Sequence, residues 1–208
     1  MDLIGRVVEL GVAPRGVIHV GAARGEELPF YQKHEVTNQL WIEPQPDLFR
    51  ALITRLPLSS CVQALNVACG NFNGKAKMIC LLGNGGHSNS LLHPKKHLEY
   101  HPDNVVDGEI EVDVARLDDI VAGFGIPVHR FNVMVLDVQG YELEVLKGGE
   151  GTVIRMEAVV CEVNREELYE ECALADEVDR WMEGRGFTRR WTCWCGPNES
   201  YGDAIYLK

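Results

Sequence analysis

The segment Val17-Ile18-His19-Val20-Gly21-Ala22-Ala23-Arg24-Gly25-Glu26-Glu27 constrains the fold more than any other part of the chain. A short apolar, β-branched run ends at Gly21, a second glycine comes four residues on, and a helix-like pattern begins at once. This reads as strand, tight turn and helix start. An α/β sheet uses that arrangement to bring bare backbone close to a nucleotide-like ligand. Taken alone, the glycine pair is equally an ordinary strand-to-helix turn. The regularly spaced segments downstream of it give it weight.

Strand-like segments recur at 17–20, 39–42, 62–67, 75–82, 110–114, 133–136, 159–163, 187–194 and 204–207. Helix-like segments at 26–33, 47–55, 142–147 and 176–185 fall between them, and 83–90 is a polar, glycine-rich loop. Apolar strands alternating with amphipathic helices predict an α/β fold: a mostly parallel sheet with helices on both faces. With 208 residues, 46% of them hydrophobic, and no Ser/Gly/Pro-rich linker, residues 1–208 are expected to form a single domain.

The net charge of −11 argues against nucleic acid or an anionic membrane as partner, because both reward clustered Lys and Arg. Lys95-Lys96 and Arg189-Arg190 are the only basic doublets. No apolar stretch reaches membrane-spanning length, and no basic segment followed by an apolar run opens the chain, so a cytoplasmic protein is expected. The seven cysteines include no Cys-x-x-Cys pair, which points to structural use rather than a zinc or redox site.

In a parallel sheet the ligand sits at the carboxyl ends of the strands, so Gly21, Glu43, Asn66, Asp137 and Glu162 should share one edge. Gly21 and Gly25 would let the turn approach a ligand and leave helix-start amides free to bond. Glu43 is placed to accept hydrogen bonds from a ribose diol, and Asn66 to read an adenine edge. A dinucleotide site needs three glycines to admit a pyrophosphate, but position 23 is alanine. A nucleoside without pyrophosphate fits better, and S-adenosyl-L-methionine is the obvious cofactor.

Four segments resemble the FkbM-type family of S-adenosylmethionine-dependent methyltransferases. They are residues 17–25 with Glu26-Glu27; Trp41-Ile42-Glu43-Pro44; Asn66-Val67-Ala68-Cys69-Gly70; and Leu136-Asp137-Val138-Gln139-Gly140-Tyr141-Glu142, continuing to Val145-Leu146-Lys147-Gly148. Arg116-Leu117-Asp118-Asp119-Ile120 and Gly202-Asp203-Ala204-Ile205-Tyr206-Leu207 also match, so the resemblance runs over about residues 15 to 207. It implies a Rossmann-like class I methyltransferase fold with a seven-stranded sheet whose last strand is antiparallel. It implies methyl transfer, most often to a hydroxyl of a sugar, glycan or small natural product. By position, Gly21, Ala22 and Gly25 would line the methionine end, Glu43 the ribose, and Asn66 with Val67 the adenine. His19 stands where the family carries an acidic cofactor contact two residues before the first glycine, and Gln139 stands where it usually has glutamate.

Asp137, ending a strand at the cofactor edge, is the first candidate to face the reacting centre, and a helix cap is its plainer reading. Glu162 could complete a polar cluster with it. Asp137, Glu162 and Asn164 are oxygen ligands of the kind Mg²⁺ takes, but nothing in the spacing demands a metal and none is expected. His87, in the glycine-rich loop, is the candidate histidine base, a solvated loop histidine being the alternative. His93, His97 and His101 repeat at helical spacing and are expected to be solvated surface residues. Trp181, Phe187 and Trp191 are expected in the core. Residues 83–110 are the expected acceptor-specificity insertion. The chain is thus expected to be an O-methyltransferase with a small-molecule or glycan acceptor, or else a catalytically inactive cofactor-binding or assembly module of the same fold.

Overall fold

A computed structural model describes residues 1–83 and 85–208; Asn84, within the loop expected at 83–90, lies outside the described residues. The first half of the chain runs α1 (Leu3–Glu9), β1 (Gly16–Val20), α2 (Leu28–Lys33), β2 (Asn38–Ile42), α3 (Pro46–Arg55), β3 (Val62–Leu65), β4 (Ala68–Cys69), β5 (Gly74–Leu82) and α4 (Lys96–Tyr100). It continues through β6 (Val105–Ala115), α5 (Leu117–Gly123), β7 (Val133–Leu136), α6 (Glu142–Gly148), α7 (Glu150–Val153), β8 (Ala158–Asn164), α8 (Ala175–Glu183), β9 (Thr188–Cys195) and β10 (Tyr201–Leu207).

The main sheet has seven strands in the order β3-β2-β1-β7-β8-β10-β9. All neighbours are parallel except β10, which runs antiparallel to both β8 and β9. Every residue of β1 and β7 is buried, as expected for central strands covered on both faces. Ile18, Val20, Met134, Leu136 and Val159 pack with α5, α6 and α8 on one face. On the other, Val17, Trp41, Val133 and Val160 meet α1, α2 and α3.

Two features depart from the sequence reading. The strand expected at 62–67 stops at Leu65, and Ala68–Cys69 instead opens a second, three-stranded sheet, ordered β4-β6-β5. The long antiparallel pairing of β5 with β6 dominates that sheet. The expected helical array of histidines is also shorter and drier than foreseen. α4 covers only Lys96–Tyr100, and His97 is 5% exposed, accepting a hydrogen bond from Asn104 Nδ2 at 2.9 Å and stacking on Tyr169. Phe187 is buried as expected, whereas Trp181 and Trp191 are half-buried, with arginine guanidinium groups lying over their outer faces.

Candidate active site

The site is built where the turns after β1, β2 and β7 meet. Gly21 has φ +82°, and a Cβ there would lie 1.8 Å from the Asp137 carbonyl oxygen, so only glycine lets the two turns touch. The amides of Gly21 and Ala22 both donate to the Ile42 carbonyl, tying the turn to the end of β2. The chain then bends through Ala23 (φ +43°), whose N–H donates to Glu43 Oε2 at 2.8 Å. Gln45 N–H donates to Glu43 Oε1, also at 2.8 Å. Two main-chain donors thus aim a side chain that is only 5% exposed. Burial, reinforced by the charges of Asp137 and Glu26, pushes the Glu43 carboxyl up to about 7 in spite of those hydrogen bonds.

Above Glu43 lies a crevice of about 590 Å³, open to solvent, at the carboxyl edge of the sheet. Leu48, Ala68, Cys69, Met78 and Leu91 supply apolar wall, and Glu43, Asp137 and Asn89 supply polar groups. A second crevice of about 1050 Å³ adjoins it and shares His87, Asp137 and Gln139 with the first. Glu162, His97, His101 and Tyr201 line its far side. Among the described residues, neither crevice is lined by a lysine or arginine.

Asp137 is exposed to both crevices, at the junction of the two. Gln139 Nε2 donates to Asp137 Oδ1 at 2.6 Å and reaches Glu162 Oε2 at 3.5 Å. Behind them, Glu142 accepts from the amides of Val138 and Gly140, closing the turn after β7. Asp203 is paired in register with Glu162 across the β8–β10 ladder. Desolvation raises the pKa of all four acids, and their mutual repulsion adds to it; Asp203 is pushed up to about 6.

Of the residues singled out in the sequence, Gly21, Glu43, Asp137 and His87 are brought together around the first crevice, and Glu162 lines the second. His87 Nε2 stands 3.7 Å from Glu26 Oε1. The others are placed elsewhere. His19 faces the α2 side of the sheet, with Nδ1 2.9 Å from the Tyr31 hydroxyl and its ring stacked on Trp41. Its burial lowers its pKa to about 3, so it is neutral and walled off from the crevice. Ala22 is core, and Gly25 packs on Leu52. Asn66 turns inward to donate to the carbonyls of Glu43 and Pro44, 2.8 Å each, which braces the Glu43 corner. The wall position expected for Asn66 and Val67 belongs instead to Ala68 and Cys69. Asn164 opens on a separate groove beside Arg189 and Trp194, away from Asp137 and Glu162. Among the described residues, no three His, Cys, Asp or Glu side chains are grouped to hold a metal ion. Sequence reasoning missed Tyr169, whose hydroxyl donates to Gln139 Oε1 at 2.9 Å and which carries no local signal, and gave no site role to Asp203, although it lies in the matching segment 202–207.

The strand order, the antiparallel β10 and a crevice at the carboxyl edge define a Rossmann-like methyltransferase fold of class I. The chain belongs to the FkbM methyltransferase family, whose domain model matches residues 19–189. It is 26% identical over 160 residues to the 2-O-methyltransferase NoeI of Sinorhizobium fredii, a match covering 74% of this chain and 65% of NoeI. Two solved structures illustrate the shared fold. One is the magnesium protoporphyrin IX methyltransferase ChlM of Synechocystis PCC 6803 with bound SAM (TM-score 0.54, 10% identity, 100% of this chain and 76% of that one). The other is the methyltransferase domain of bacterial CtHen1-CN (TM-score 0.51, 13% identity, 100% and 98%). Among the described residues, no helix is long and apolar enough to cross a membrane.

Proposed function

We propose that this protein is an S-adenosylmethionine-dependent O-methyltransferase acting on a hydroxyl of a small polyol, sugar or glycan. The observation that carries the reading is the junction of the two crevices at Asp137: an apolar-walled cleft meets a polar cleft at an open carboxylate. The donor set suits the cofactor, since the Glu43 carboxylate keeps acceptor lone pairs for two sugar hydroxyls beside apolar walls for a base. Glu43 would hold the ribose, Leu48, Ala68, Cys69 and Met78 the adenine, and the turn at Gly21 the methionine end. When bound, the cofactor supplies an activated methyl group on a sulfonium.

Asp137 then accepts the proton of the acceptor hydroxyl, and its raised pKa brings it closer to the basicity this requires near neutral pH. His87, across the junction, orients the acceptor. The absence of lysine and arginine from the described lining favours an uncharged hydroxyl compound over a phosphorylated one, which supports a sugar-like acceptor and gives a nucleic acid no purchase. The similarity to a 2-O-methyltransferase points the same way.

Incubation with methyl-labelled S-adenosylmethionine and a panel of methyl glycosides and glycerol tests the reading. Asp137→Asn should lower turnover by roughly 10²–10⁴-fold while calorimetric affinity for S-adenosylhomocysteine changes little. Near-normal turnover in that variant moves the chemistry away from Asp137. Label transferred to no acceptor by the wild-type protein, despite cofactor binding, favours a module that binds without methylating.

A further inference from the structure

We propose that Gln139 is a positioning residue for this reaction: its carboxamide holds the Asp137 and Glu162 carboxylates on one N–H donor group and thereby keeps Asp137 aimed and ready to take the acceptor's proton. The proposal rests on the assignment of Asp137 above, but the coupling between the two side chains can be read without turnover.

Gln139 is fixed from several directions. Its Nε2 donates to Asp137 at 2.6 Å and lies 3.5 Å from Glu162, its Oε1 accepts from Tyr169 at 2.9 Å, and its carbonyl accepts from Ser90 Oγ at 2.7 Å. The orientation of the amide follows from its two sides: the Tyr169 hydroxyl supplies a donor for Oε1, and the Asp137 carboxylate, when ionised, can only accept from Nε2. Tyr169 is 1% exposed and stacked on His97, so the anchor itself does not drift. The backbone of Gln139 is held in the left-handed region at φ +55°, a conformation that a non-glycine residue keeps only where its surroundings enforce it.

The surroundings explain why the donor must be neutral and present. Asp137 faces Glu142 from α6, Glu162 from β8, Asp203 from β10, Glu27 from the turn before α2, and His87 from the loop after β5. Glu43 at the end of β2 also feels its charge. The protein packed around the turn and the Glu27 charge work against ionisation of Asp137, even though its carboxylate opens on both crevices, whereas the Gln139 N–H and His87 work for it. A glutamate at 139 would add one more negative charge to this group. A methionine would keep the volume and remove the donor.

The test compares the full-length wild type with Gln139→Glu and Gln139→Met. The Asp137 carboxyl is followed by ¹³C NMR titration, assigned by its disappearance in Asp137→Asn. Both substitutions should raise its midpoint by a pH unit or more. The acid limb of kcat/KM should move equally for the methyl glycoside or glycerol that the wild type methylates best. For a one-unit shift turnover then falls about tenfold at pH 5 and about twofold at pH 7, and is largely recovered by pH 9, where the KM for S-adenosylmethionine stays within about twofold of wild type. An unmoved midpoint, or a loss of activity equal at every pH, overturns the proposal. Should either variant fail to fold, Tyr169→Phe serves instead: it removes the hydroxyl shared by Gln139 Oε1 and the Ser88 carbonyl and should shift the midpoint upward by a smaller amount, and no shift again overturns the idea. If the wild type methylates nothing, the catalytic reading fails, and the NMR midpoints alone decide whether Gln139 controls Asp137.

Discussion

Glu43→Gln probes the turn after β2 through stability, before any ligand is added. Folding carries this side chain from an ordinary glutamate value of 4.5 to about 7 because it is buried at 5% exposure. Its folded value is raised, so between pH 4.5 and 7 the unfolded chain has already released the proton that the folded protein still holds. Stability therefore falls as pH rises across that window and levels off above it. A shift of about 2.5 units, at 1.36 kcal/mol each, makes this contribution roughly 3 kcal/mol less favourable at pH 8 than below pH 4.5. The glutamine variant cannot titrate, so that slope disappears. Its amide oxygen cannot serve both Ala23 and Gln45 N–H as the carboxylate does, which costs about 1–3 kcal/mol wherever the carboxylate is ionised. Urea unfolding of both proteins at pH 5 and pH 8, followed by tryptophan fluorescence, gives the double difference. Acids that do not feel the Glu43 charge contribute to each protein alike and cancel, whereas Asp137, whose charge acts on Glu43, adds to the difference. The gap between pH 5 and pH 8 should shrink in the variant; equal gaps would refute the claim that Glu43 is held protonated by burial.

The same geometry yields two further outcomes. Gly21→Ala forces a side chain at φ +82° against the Asp137 main-chain carbonyl, so the protein should lose about 2–5 kcal/mol and its melting temperature should drop by roughly 5–15 °C; an unchanged melt would mean that the turns do not abut. His19 is lowered by burial to about 3, so stability should fall as pH is lowered from 6.5 towards 3, where the unfolded chain gains a proton that folded His19 refuses. An imidazole NMR midpoint near 6.5 in the folded protein would show the ring to be solvated after all.

The central strands were legible because parallel strands buried on both faces form largely apolar runs, and β1, β2, β7 and β8 read that way despite His19, Gln39 and Glu162. Their carboxyl ends led directly to Gly21, Glu43 and Asp137. Asn66 stays out of the crevice lining for a specific reason: its amide reaches back to the carbonyls of Glu43 and Pro44, 23 and 22 residues earlier, so the polar residue at the strand end is spent on the backbone. The wall then falls to Ala68 and Cys69, whose apolar side chains carry no visible signal. Long-range pairing hid the rest. Tyr169 meets Gln139 across 30 residues, and Asp203 meets Glu162 only through the β8–β10 register. His97 read as a surface residue because nothing near it in sequence reveals that Tyr169 will cover its ring.

A core arranged for stability alone would not gather Asp137, Glu142, Glu162 and Asp203 without a lysine or arginine among the groups that shift them. The groups bonded to the crevice acids are neutral donors instead: main-chain N–H at Glu43 and Glu142, and a carboxamide at Asp137. Such donors orient a carboxylate without cancelling its charge, whereas a salt bridge would do both. The result is a rigid acidic floor beneath two joined crevices whose described lining holds no lysine or arginine. That floor weakens the empty protein above neutral pH and favours a ligand that brings positive charge to the junction, as a sulfonium does. The apolar wall at Ala68, Cys69 and Met78 lies on the other side of the same crevice, so a ligand with an uncharged planar end and a cationic end meets complementary surface at both.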